Sequence, residues 1–523
     1  MAGPPESPEG LGRSQSRARC VPSRLWYCEP NAKKIIGLGS SLNRLSRLAL
    51  VLLLFLAWSA RLRTAASSTA LALTHVTVID AIGNTTRPDQ SVVILDGRIT
   101  ANGPSSRIKL PKDARVIDAR GKFLIPGLWD MHVHIAGLNA DPAWSKQVLL
   151  PLLLANGITG VRDMGGDLEA LLVWKREIES GTLMGPHIVA CGPFLVGSGK
   201  KTAEQYPVTN ADEARAAVRD LKHRGAEFIK VISVPSKEVF FAIADEAKKQ
   251  NIPFAGHLPF QVSAQEASDA GMRSIEHLLY SAFSLSFSSK DDDLRRRLVA
   301  AEAKGDSVAW EQIAHESDAT YDKEKAAKLF QTLKRNRTWV TPTLASLDIT
   351  AHPEDWSVDD PELAFAPPSL AKQWRDSFQD VAMKERAAWL ARQAANDWRL
   401  TAELHQAGIP LLVGSDSLDP FVFPGESLHR ELTELVRAGL RPAEALRSAT
   451  AGAAQFLGRG QELGTVDVGK LADLVLLDGS PLESIANTQR VNAVVRGGIY
   501  LDRAALDKLL SQAKSAAALV PAT

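Results

Sequence analysis

Two histidines stand one residue apart in the segment LWDMHVHI, residues 128–135, and their spacing raises the first chemical question about this chain. In an extended strand, side chains at positions i and i+2 point to the same face, so His132 and His134 would present two imidazoles side by side. Paired imidazoles can bind a metal ion, although a lone histidine is often an ordinary buried residue with a hydrogen-bond partner. The rest of the sequence must decide between these two interpretations.

Four further residues with metal-binding or acid–base chemistry lie where apolar runs end. Lys230 occurs in EFIKVIS, His257 in AGHL, His277 in IEHLL and Asp416 in VGSDS. Taken singly, each has an ordinary explanation: a satisfied buried histidine, a lysine whose stem packs on apolar surface, or an aspartate that caps a turn. Because four of the 11 histidines fall in this pattern, we interpret the six residues as one metal site.

The elements that must position these residues are eight short apolar strands that alternate with amphipathic segments. We predict strands at LIPGLWDMHVH, ITGVRD, HIVACG, FIKVIS, PFAGHL, SIEHLLY, TWVTPTLA and PLLVGSD. Segments such as NADEARAAVRDLKHRG have apolar residues at helical spacing, with acids early and bases late, as the helix dipole favours. The pattern predicts an α/β fold, a (β/α)8 TIM barrel, in which the carboxyl ends of the strands meet at one mouth. A doubly wound open sheet is the structural alternative.

Two stretches break the strand–helix period. Residues 286–337 are charged and predicted helical, and residues 346–385 are polar with tryptophan and proline. Both follow strands on the side where a barrel carries its active site, so they are candidates for a lid or a substrate wall. The alternative is peripheral helices without contact to substrate.

The two ends of the folded chain have short β-like runs and turns. Asp96-Gly97 within LDGR, between two apolar runs, predicts a hairpin. We therefore predict a small β-sandwich domain built from residues 71–124 and 456–503, a barrel over 125–455, and a C-terminal tail over 504–523.

Residues 1–70 are predicted to be a signal or targeting segment. The apolar run LALVLLLFLAWSA, residues 48–60, follows several basic residues and precedes ALA at 70–72, as in a secretory signal peptide. The 47 residues before the run are more than such a peptide usually has. We expect an exported, periplasmic or extracellular protein. The alternative is a membrane tether formed by an uncleaved N-terminal segment.

Charge and cysteine content exclude several classes of partner and metal site. The 61 basic and 60 acidic residues give a net charge of +1, so no nucleic-acid partner is expected. Cys20, Cys28 and Cys191 are too few for a disulfide framework or a thiolate cluster. A metal must therefore be bound through nitrogen and oxygen, for which zinc is the default, with manganese, iron or cobalt as alternatives. The sequence leaves a homo-oligomer open.

Lys230 requires a separate explanation, because an ammonium group beside two cations would be repelled. Burial disfavours the charged form of a lysine and can leave the amine neutral. A neutral amine can take up carbon dioxide and become a carbamate, an anionic oxygen donor that can bridge two metal ions.

With these residues in view, the chain resembles the amidohydrolase superfamily, in its imidazolonepropionase-related and prolidase-like branch. The resemblance covers about residues 71–503, and its motifs are PGLWDMHVH, GAEFIKV, AGHLP, SIEHL, GSDS, SLHRELTELVRAGLRPAEALRSATAGAAQFLG and LGTVDVGKLADLVLLDGSPLESI. It implies two divalent metal ions. The first would be held by His132, His134 and Asp416, the second by His257 and His277, with carbamylated Lys230 as the bridge. It also implies that Asp416 takes the proton of an attacking hydroxide and returns it to the leaving amine.

Other residues near the motifs have less definite roles. The resemblance assigns Tyr280 to the substrate as a donor to the oxyanion, with a packed aromatic side chain as the alternative. Glu276 should face the layer between barrel and helices, because it adjoins His277 in a strand. Asp163 and His429 are candidates for supporting positions. Lys200 and Lys201 could meet a substrate carboxylate, but we favour solvated charges.

The function that these residues predict is a metal-dependent hydrolase that cleaves a C–N amide bond in a small-molecule substrate, of the dipeptide or N-acyl amino acid type. The alternatives are a hydrolase of cyclic amides, such as an imidazolone or hydantoin, and a non-catalytic scaffold on the same fold.

Overall fold

The structure is a computed structural model, and it describes residues 69–137, 141–278, 282–355, 357, 359–379 and 381–520, apart from the side chains at 378–385. The apolar run at 48–60 and Tyr280 lie outside the described residues. None of the helices in the described part of the chain combines the length and the apolarity that crossing a membrane requires.

Strands from both ends of the described chain form one eight-stranded sheet. They are β1 Leu71–Asp80, β2 Thr85–Leu95, β3 Arg98–Pro104, β4 Arg115–Asp118 and β5 Phe123–Pro126, together with β15 Leu474–Leu477, β16 Val491–Arg496 and β17 Ile499–Leu501. The strand order is β17, β16, β15, β5, β1, β2, β3, and β4 pairs with β1. The predicted sandwich is not confirmed, because antiparallel pairing of β15 with β5 joins all these strands into one connected sheet.

The hairpin predicted at Asp96-Gly97 joins β2 to β3. Asp96 has a φ of 50° and Gly97 a φ of 73°, and positive φ at both central residues is the signature of a type I′ turn. A Cβ atom on Gly97 would lie 3.0 Å from the carbonyl oxygen of Gly497, so glycine also permits close packing against the turn between β16 and β17.

The central part of the chain contains two parallel sheets. One consists of β6 Leu128–Val133, β7 Ile158–Asp163 and β8 His187–Ala190. The other consists of β9 Phe194–Val196, β10 Gln205–Pro207, β11 Ile229–Ser233, β12 Phe254–Gly256, β13 Ser274–Glu276 and β14 Trp339–Thr341, in the order β10, β9, β11, β12, β13, β14. Seven of the eight predicted barrel strands are therefore present.

The eighth predicted strand is not formed, and this prediction is wrong. The segment 411–417 still lies between β6 and β14, because the Asp416 amide donates to the His132 carbonyl at 2.8 Å and the Leu412 amide donates to the Val340 carbonyl at 2.9 Å. Asp416 has a φ of 58°, in the left-handed region, which interrupts extended backbone. The structure consequently shows two parallel sheets with this segment between them, and not a closed eight-stranded barrel.

Helices connect and cover the parallel strands. They are Pro142–Trp144, Leu150–Ala155, Leu168–Glu179, Ala211–Arg224, Lys237–Lys249, Ala264–Asp269, Asp291–Glu302, Ser307–Ala319, Lys323–Asn336, Leu344–Ala351, Pro368–Gln379, Val381–Gln406, Glu426–Arg437, Pro442–Ser448 and Ala451–Phe456. The helix Ala211–Arg224 shows why the pattern predicted them. Asn210 caps its start by accepting from the Glu213 amide, and Gly225, with a φ of 101°, ends it.

The predicted C-terminal tail contains a packed helix, Arg503–Ala517. Asp502 caps it by accepting a hydrogen bond from the Ala505 amide. Its inner face buries Leu506 and Ala513 in the main apolar core.

Candidate metal centre and active site

The Asp416 carboxylate lies among three of the predicted histidines. Its Oδ1 is 3.3 Å from Nε2 of His132 and 3.4 Å from Nε2 of His134, and its Oδ2 is 3.7 Å from Nε2 of His277. His257 adjoins the group through His277, with ring centroids 4.7 Å apart. Side chains from three strand ends and from the segment after Leu411 thus converge on one point.

Lys230 lies on β11, beside the strand that leads to His257. Its side chain is 1% exposed, and its Nζ has no hydrogen-bond partner among the described residues. Burial lowers the pKa of Lys230 to about 8, against the opposing charges of Glu276 and Asp416. A buried amine with a lowered pKa and no partner is the state that the sequence predicts for a lysine open to carbamylation.

Asp130 fastens the segment around Asp416 to the first barrel strand. It shares one face of β6 with His132, and its carboxylate accepts from the Ser415 amide at 3.0 Å and from the Ser415 hydroxyl at 2.6 Å. Burial raises the pKa of Asp130 to about 7. The sequence analysis missed this residue, although its i−2 spacing from His132 is the same alternation that identified His134.

Glu276 faces the cluster, so the prediction that it lies in the layer between barrel and helices is wrong. Its Oε2 is 3.1 Å from Nδ1 of His132, and the Arg162 guanidinium donates to both carboxylate oxygens at 2.9 Å. Strand alternation fails here because His277 has a φ of 61°. That left-handed conformation turns Glu276 and His277 toward the same interior.

The Glu276 carboxylate sets which nitrogen of His132 faces the cluster. Burial would raise the pKa of Glu276, but the charges of Arg162 and Lys230 outweigh it and keep the pKa below its ordinary value. An ionised Glu276 can only accept a hydrogen bond, so the proton of His132 lies on Nδ1. His132 then presents the lone pair of Nε2 toward Asp416. That Nε2 is buried and has no hydrogen-bond partner among the described residues.

The Thr343 hydroxyl sets which nitrogen of His277 faces the cluster. The Thr343 hydroxyl donates to the Pro342 carbonyl at 2.7 Å, so its oxygen can accept from Nδ1 of His277, also at 2.7 Å. The Nε2 lone pair of His277 is thereby directed to Asp416. No local motif around Thr343 indicated this role.

Three of the imidazoles and the carboxylate have protonation states suited to binding a cation. The fourth imidazole differs, because burial would lower the pKa of His134 but its hydrogen bond to Asp416 and the charge of Asp416 outweigh burial and raise it. Burial, together with the Lys230 charge, holds the pKa values of His132 and His257 well below the usual range, and burial lowers the pKa of His277 to about 4. Burial would raise the pKa of Asp416, but the neighbouring histidines outweigh it and hold it far below. Neutral imidazoles and an ionised carboxylate are what a metal ion requires.

A backbone carbonyl orients the ring of His134. Its Nδ1 lies 3.1 Å from the Gly165 carbonyl, which can only accept, so Nε2 is left facing Asp416. Asp163 shapes the same loop by accepting from the amides of Ile135 at 2.8 Å and Gly165 at 3.1 Å. Asp163 therefore supports a candidate ligand.

The other predicted residues lie apart from this cluster or outside the described residues. His429 is buried between the Asn156 carbonyl and the Thr488 hydroxyl. Lys201 has a side chain that is 52% exposed and lies 3.6 Å from Asp220, as expected of a solvated charge.

The donor set fits a divalent metal ion. One ligand atom each from His132, His277 and Asp416 lies within 4.8 Å of the others. Imidazole nitrogen and carboxylate oxygen suit zinc and its neighbours among the divalent metals. Nζ of Lys230 and Nε2 of His132 are both buried and have no hydrogen-bond partner among the described residues. A bound metal would give Nε2 of His132 a partner, and carbamylation of Lys230 would do the same for its Nζ.

Parallel strands alternating with helices, and a cluster of imidazoles and a carboxylate where those strands end, are the arrangement of an α/β fold of the TIM-barrel type with a candidate metal site at the carboxyl ends of its strands. The chain belongs to the amidohydrolase family, whose model matches residues 123–500.

Relatives across that family agree with this assignment. The chain is 26% identical to ochratoxinase of Aspergillus niger over 434 residues, covering 72% of this chain and 74% of that protein. It is 24% identical to imidazolonepropionase of Symbiobacterium thermophilum over 406 residues, covering 75% and 84%. The solved structure of a Xaa-Pro dipeptidase with bound methionine, at 20% identity, superposes with a TM-score of 0.61 and covers 83% of this chain and all of that one. The predicted imidazolonepropionase-related and prolidase-like resemblance is confirmed.

Proposed function

We propose that this chain hydrolyses the C–N bond of a small amide, of the dipeptide or N-acyl amino acid class. The observation that carries the proposal is the Asp416 carboxylate among three imidazoles, near a buried Lys230 amine that has no hydrogen-bond partner among the described residues. Two divalent metal ions, zinc by default, would be held by His132, His134, Lys230, His257, His277 and Asp416. When bound, such ions polarise a carbonyl oxygen and lower the pKa of water toward neutrality.

Lys230 would act as the bridging ligand after carbamylation. Its neutral Nζ attacks carbon dioxide, an N–C bond forms, and the proton lost from nitrogen passes to solvent. The product is an anionic carbamate with two donor oxygens. The pKa of about 8 makes a reactive fraction of neutral amine available near neutral pH.

Asp416 would move the proton of the reaction. Its pKa lies far below neutrality because of the neighbouring imidazoles, so its carboxylate is ionised and can accept a proton from the attacking water. The same oxygen then donates that proton to the leaving nitrogen, as a single acid–base residue can do when it lies between the two.

A cyclic amide of the imidazolone or hydantoin type is the second candidate substrate, and the imidazolonepropionase relative supports it. A non-catalytic scaffold is the third candidate. It is disfavoured because such proteins have no reason to retain six ligand residues together with Glu276 and Thr343, which orient two of them.

The metal content of the full chain tests the proposal. Protein produced with zinc and bicarbonate should contain about two metal ions per chain. In K230A, the occupancy of one or both of these metal sites should fall sharply. K249A is the matched control, because Lys249 is an exposed lysine paired with Asp245, and it should retain the metal of the parent. Metal content that is one or zero in parent and K230A alike would remove Lys230 as a bridge.

Hydrolysis assays on the same preparations separate the candidate substrates. N-acyl amino acids and Xaa-Pro dipeptides should release amine in the parent and in K249A, with a loss of about 10²-fold or more in K230A. Turnover of cyclic amides alone would favour the second candidate. Two bound metals with no turnover of either class would favour the scaffold.

We also propose that the protein acts outside the cytoplasm, on the strength of the apolar run at 48–60. Cell fractionation with N-terminal sequencing of the exported form tests this. Recovery from the cytoplasm at full length would contradict it.

A further inference from the structure

A cavity of about 920 Å³ opens at the end of the barrel strands opposite to Asp416. Its wall includes His187 at the start of β8, Phe228 before β11, Pro253 before β12 and Arg273 before β13. The six candidate metal ligands do not line it. Its volume lies in the range of about 300–1,000 Å³ that is usual for small-molecule sites.

The charged side chains of the wall are mostly basic. Six are cationic, namely Arg98, Arg162, Lys175, Lys222, Arg273 and Arg459, and three are anionic, namely Glu179, Glu227 and Glu462. Two of the anionic groups are already neutralised, since Lys175 lies 2.8 Å from Glu227 and Arg459 lies 3.0 Å from Glu462. Arg162 is also already paired, with Glu276, which lies outside the wall. Arg98, Lys222 and Arg273 then remain against the carboxylate of Glu179, so the cavity has more positive charge than its own carboxylates balance.

Arg273 is the most buried of the wall cations that form no ion pair with the described residues. Its side chain is half-buried, no carboxylate among the described residues lies within ion-pair distance of it, and the charge that acts on it is a further cation, Arg337. Its guanidinium donates to the Phe456 carbonyl at 3.4 Å, a weak contact with a neutral group. A partly desolvated charge without a counter-ion is costly, and an anion from solution would remove that cost.

The Phe456 ring lies near two guanidinium groups. The Arg273 carbon Cζ lies 5.4 Å from its ring centroid and the Arg162 Cζ lies 5.0 Å from it. Arg162 also lies 5.6 Å from the Phe228 ring. The aromatic rings hold the cations in place and offer apolar surface beside them.

Most of the remaining wall is apolar. It includes Ile178, Ile188, Val189, Ala226, Leu457 and Leu471. A ligand that satisfies this wall needs an apolar body together with its negative charge.

We propose that this cavity binds a small organic anion, a carboxylate with an aromatic or aliphatic body, whose carboxylate pairs with Arg273 and whose body lies against the apolar wall. The inference does not depend on the proposed hydrolase activity, because none of the residues involved touches Asp416.

Calorimetric titration of the full chain with 4-phenylbutyrate tests the proposal. We expect one site per chain, no comparable binding of the neutral 4-phenylbutyramide, and affinity about tenfold or more weaker in R273Q. The matched control is R296Q, an exposed arginine paired with Asp293, which should bind as the parent does. D416N should also bind as the parent does, because it alters only the metal centre.

If R273Q does not fold, two variants of other charged wall residues still test the proposal. K222E should weaken binding of 4-phenylbutyrate. E179Q should strengthen it, because Glu179 is an exposed wall carboxylate that forms no ion pair with the described residues. The proposal is overturned by absence of binding at millimolar probe, by equal binding of the amide, by affinity unchanged in R273Q and K222E, or by loss of binding in D416N, which would place the probe at the metal centre.

Discussion

Glu276 and Thr343 perform the same task for two different histidines. Each faces an Nδ1 atom, the first of His132 at 3.1 Å and the second of His277 at 2.7 Å, so that both Nε2 atoms face Asp416. A histidine that binds metal normally has its other nitrogen held in this way, and the partner affects metal affinity as well as ring orientation. The cluster is therefore organised before any metal binds.

We expect E276Q to bind zinc about 10–100-fold more weakly than the parent, because a neutral amide is a poorer acceptor for the Nδ1 proton of His132. Competition with a chromogenic chelator measures the affinity. Nitrogen-15 NMR of the metal-free protein should show His132 shift from one tautomer to a mixture. E238Q, an exposed glutamate, is the control.

Equal zinc affinity in E276Q and E238Q would show that Glu276 does not position His132. A folded E276Q with weak zinc binding but unchanged tautomer would assign the effect to lost charge instead.

The proximity of His132, His134 and His277 to Asp416 could be predicted from the sequence, because these residue types recur where apolar runs end. The orientation of Glu276 could not, because it depends on the left-handed backbone of His277 and on a distant guanidinium, Arg162. Strand alternation is a local rule, and neither of these causes is local.

At the level of elements, Asp473 connects the terminal sheet to the barrel strands. Just before β15, its carboxylate accepts from Nε2 of His187 at 2.8 Å, from Arg496 at 3.2 Å and from the Gly497 amide at 2.8 Å. Its carbonyl accepts from the Gly127 amide at 2.7 Å, directly before β6. One residue thus fixes the position of three strands.

We expect D473N to lower the free energy of unfolding by about 3–5 kcal/mol, because it leaves the buried Arg496 charge without its partner. Urea unfolding monitored by tryptophan fluorescence measures this. D467N is a suitable control, since Asp467 is half-exposed and its only ion pair among the described residues, with Arg87, is 4.0 Å long. A loss in D473N no larger than in D467N would contradict the connecting role.

The same carboxylate should make stability depend on pH. Burial would raise the pKa of Asp473, but His187 and Arg496 outweigh it and lower the pKa in the folded state. A lowered pKa contributes stability above the unfolded value of about 3.9, and the contribution is lost as the pH falls through the folded value. The difference in Tm between parent and D473N should therefore be full at pH 7 and shrink below about pH 4. A difference that stays constant between these pH values would exclude this origin.

Seven strands and the helix Ala211–Arg224 could be predicted because apolar spacing, caps and turn residues all agreed on them. The eighth strand could not be excluded from PLLVGSD, because a left-handed aspartate is not encoded by any residue pattern. Gly414 in the same segment packs closely on the first parallel sheet, because a Cβ there would lie 2.6 Å from the Cβ of His132.

On the scale of the whole molecule, the C-terminal helix Arg503–Ala517 completes the core. It contacts the helix Leu150–Ala155 and the preceding turn Ser145–Leu149, and it buries Leu506, Ala513 and Ala517. A deletion of residues 503–523 should expose this surface and lower the Tm by about 5 °C or more, as differential scanning calorimetry can measure.

L519S is the control, because Leu519 is 81% exposed. It should leave the Tm within about 1 °C of the parent. An equal Tm for the deletion and for L519S would show that the helix adds nothing to the core.

The β-like runs near both ends of the chain predicted that both ends would form strands. That these strands join one connected sheet was not predictable, because pairing of β5 with β15 links segments whose patterns are equally consistent with two layers.

The pairing of β5 with β15 also means that β5 is synthesised well before its partner strand. About 350 residues separate the two strands, so at ribosomal rates of ~5–20 residues per second β5 emerges roughly 20–70 s before its partner. During that interval β5 is an unpaired edge of apolar sequence, FLIP, and unpaired edges recruit other chains. A chaperone that shields nascent strands would therefore raise the yield of this protein most when translation is slow.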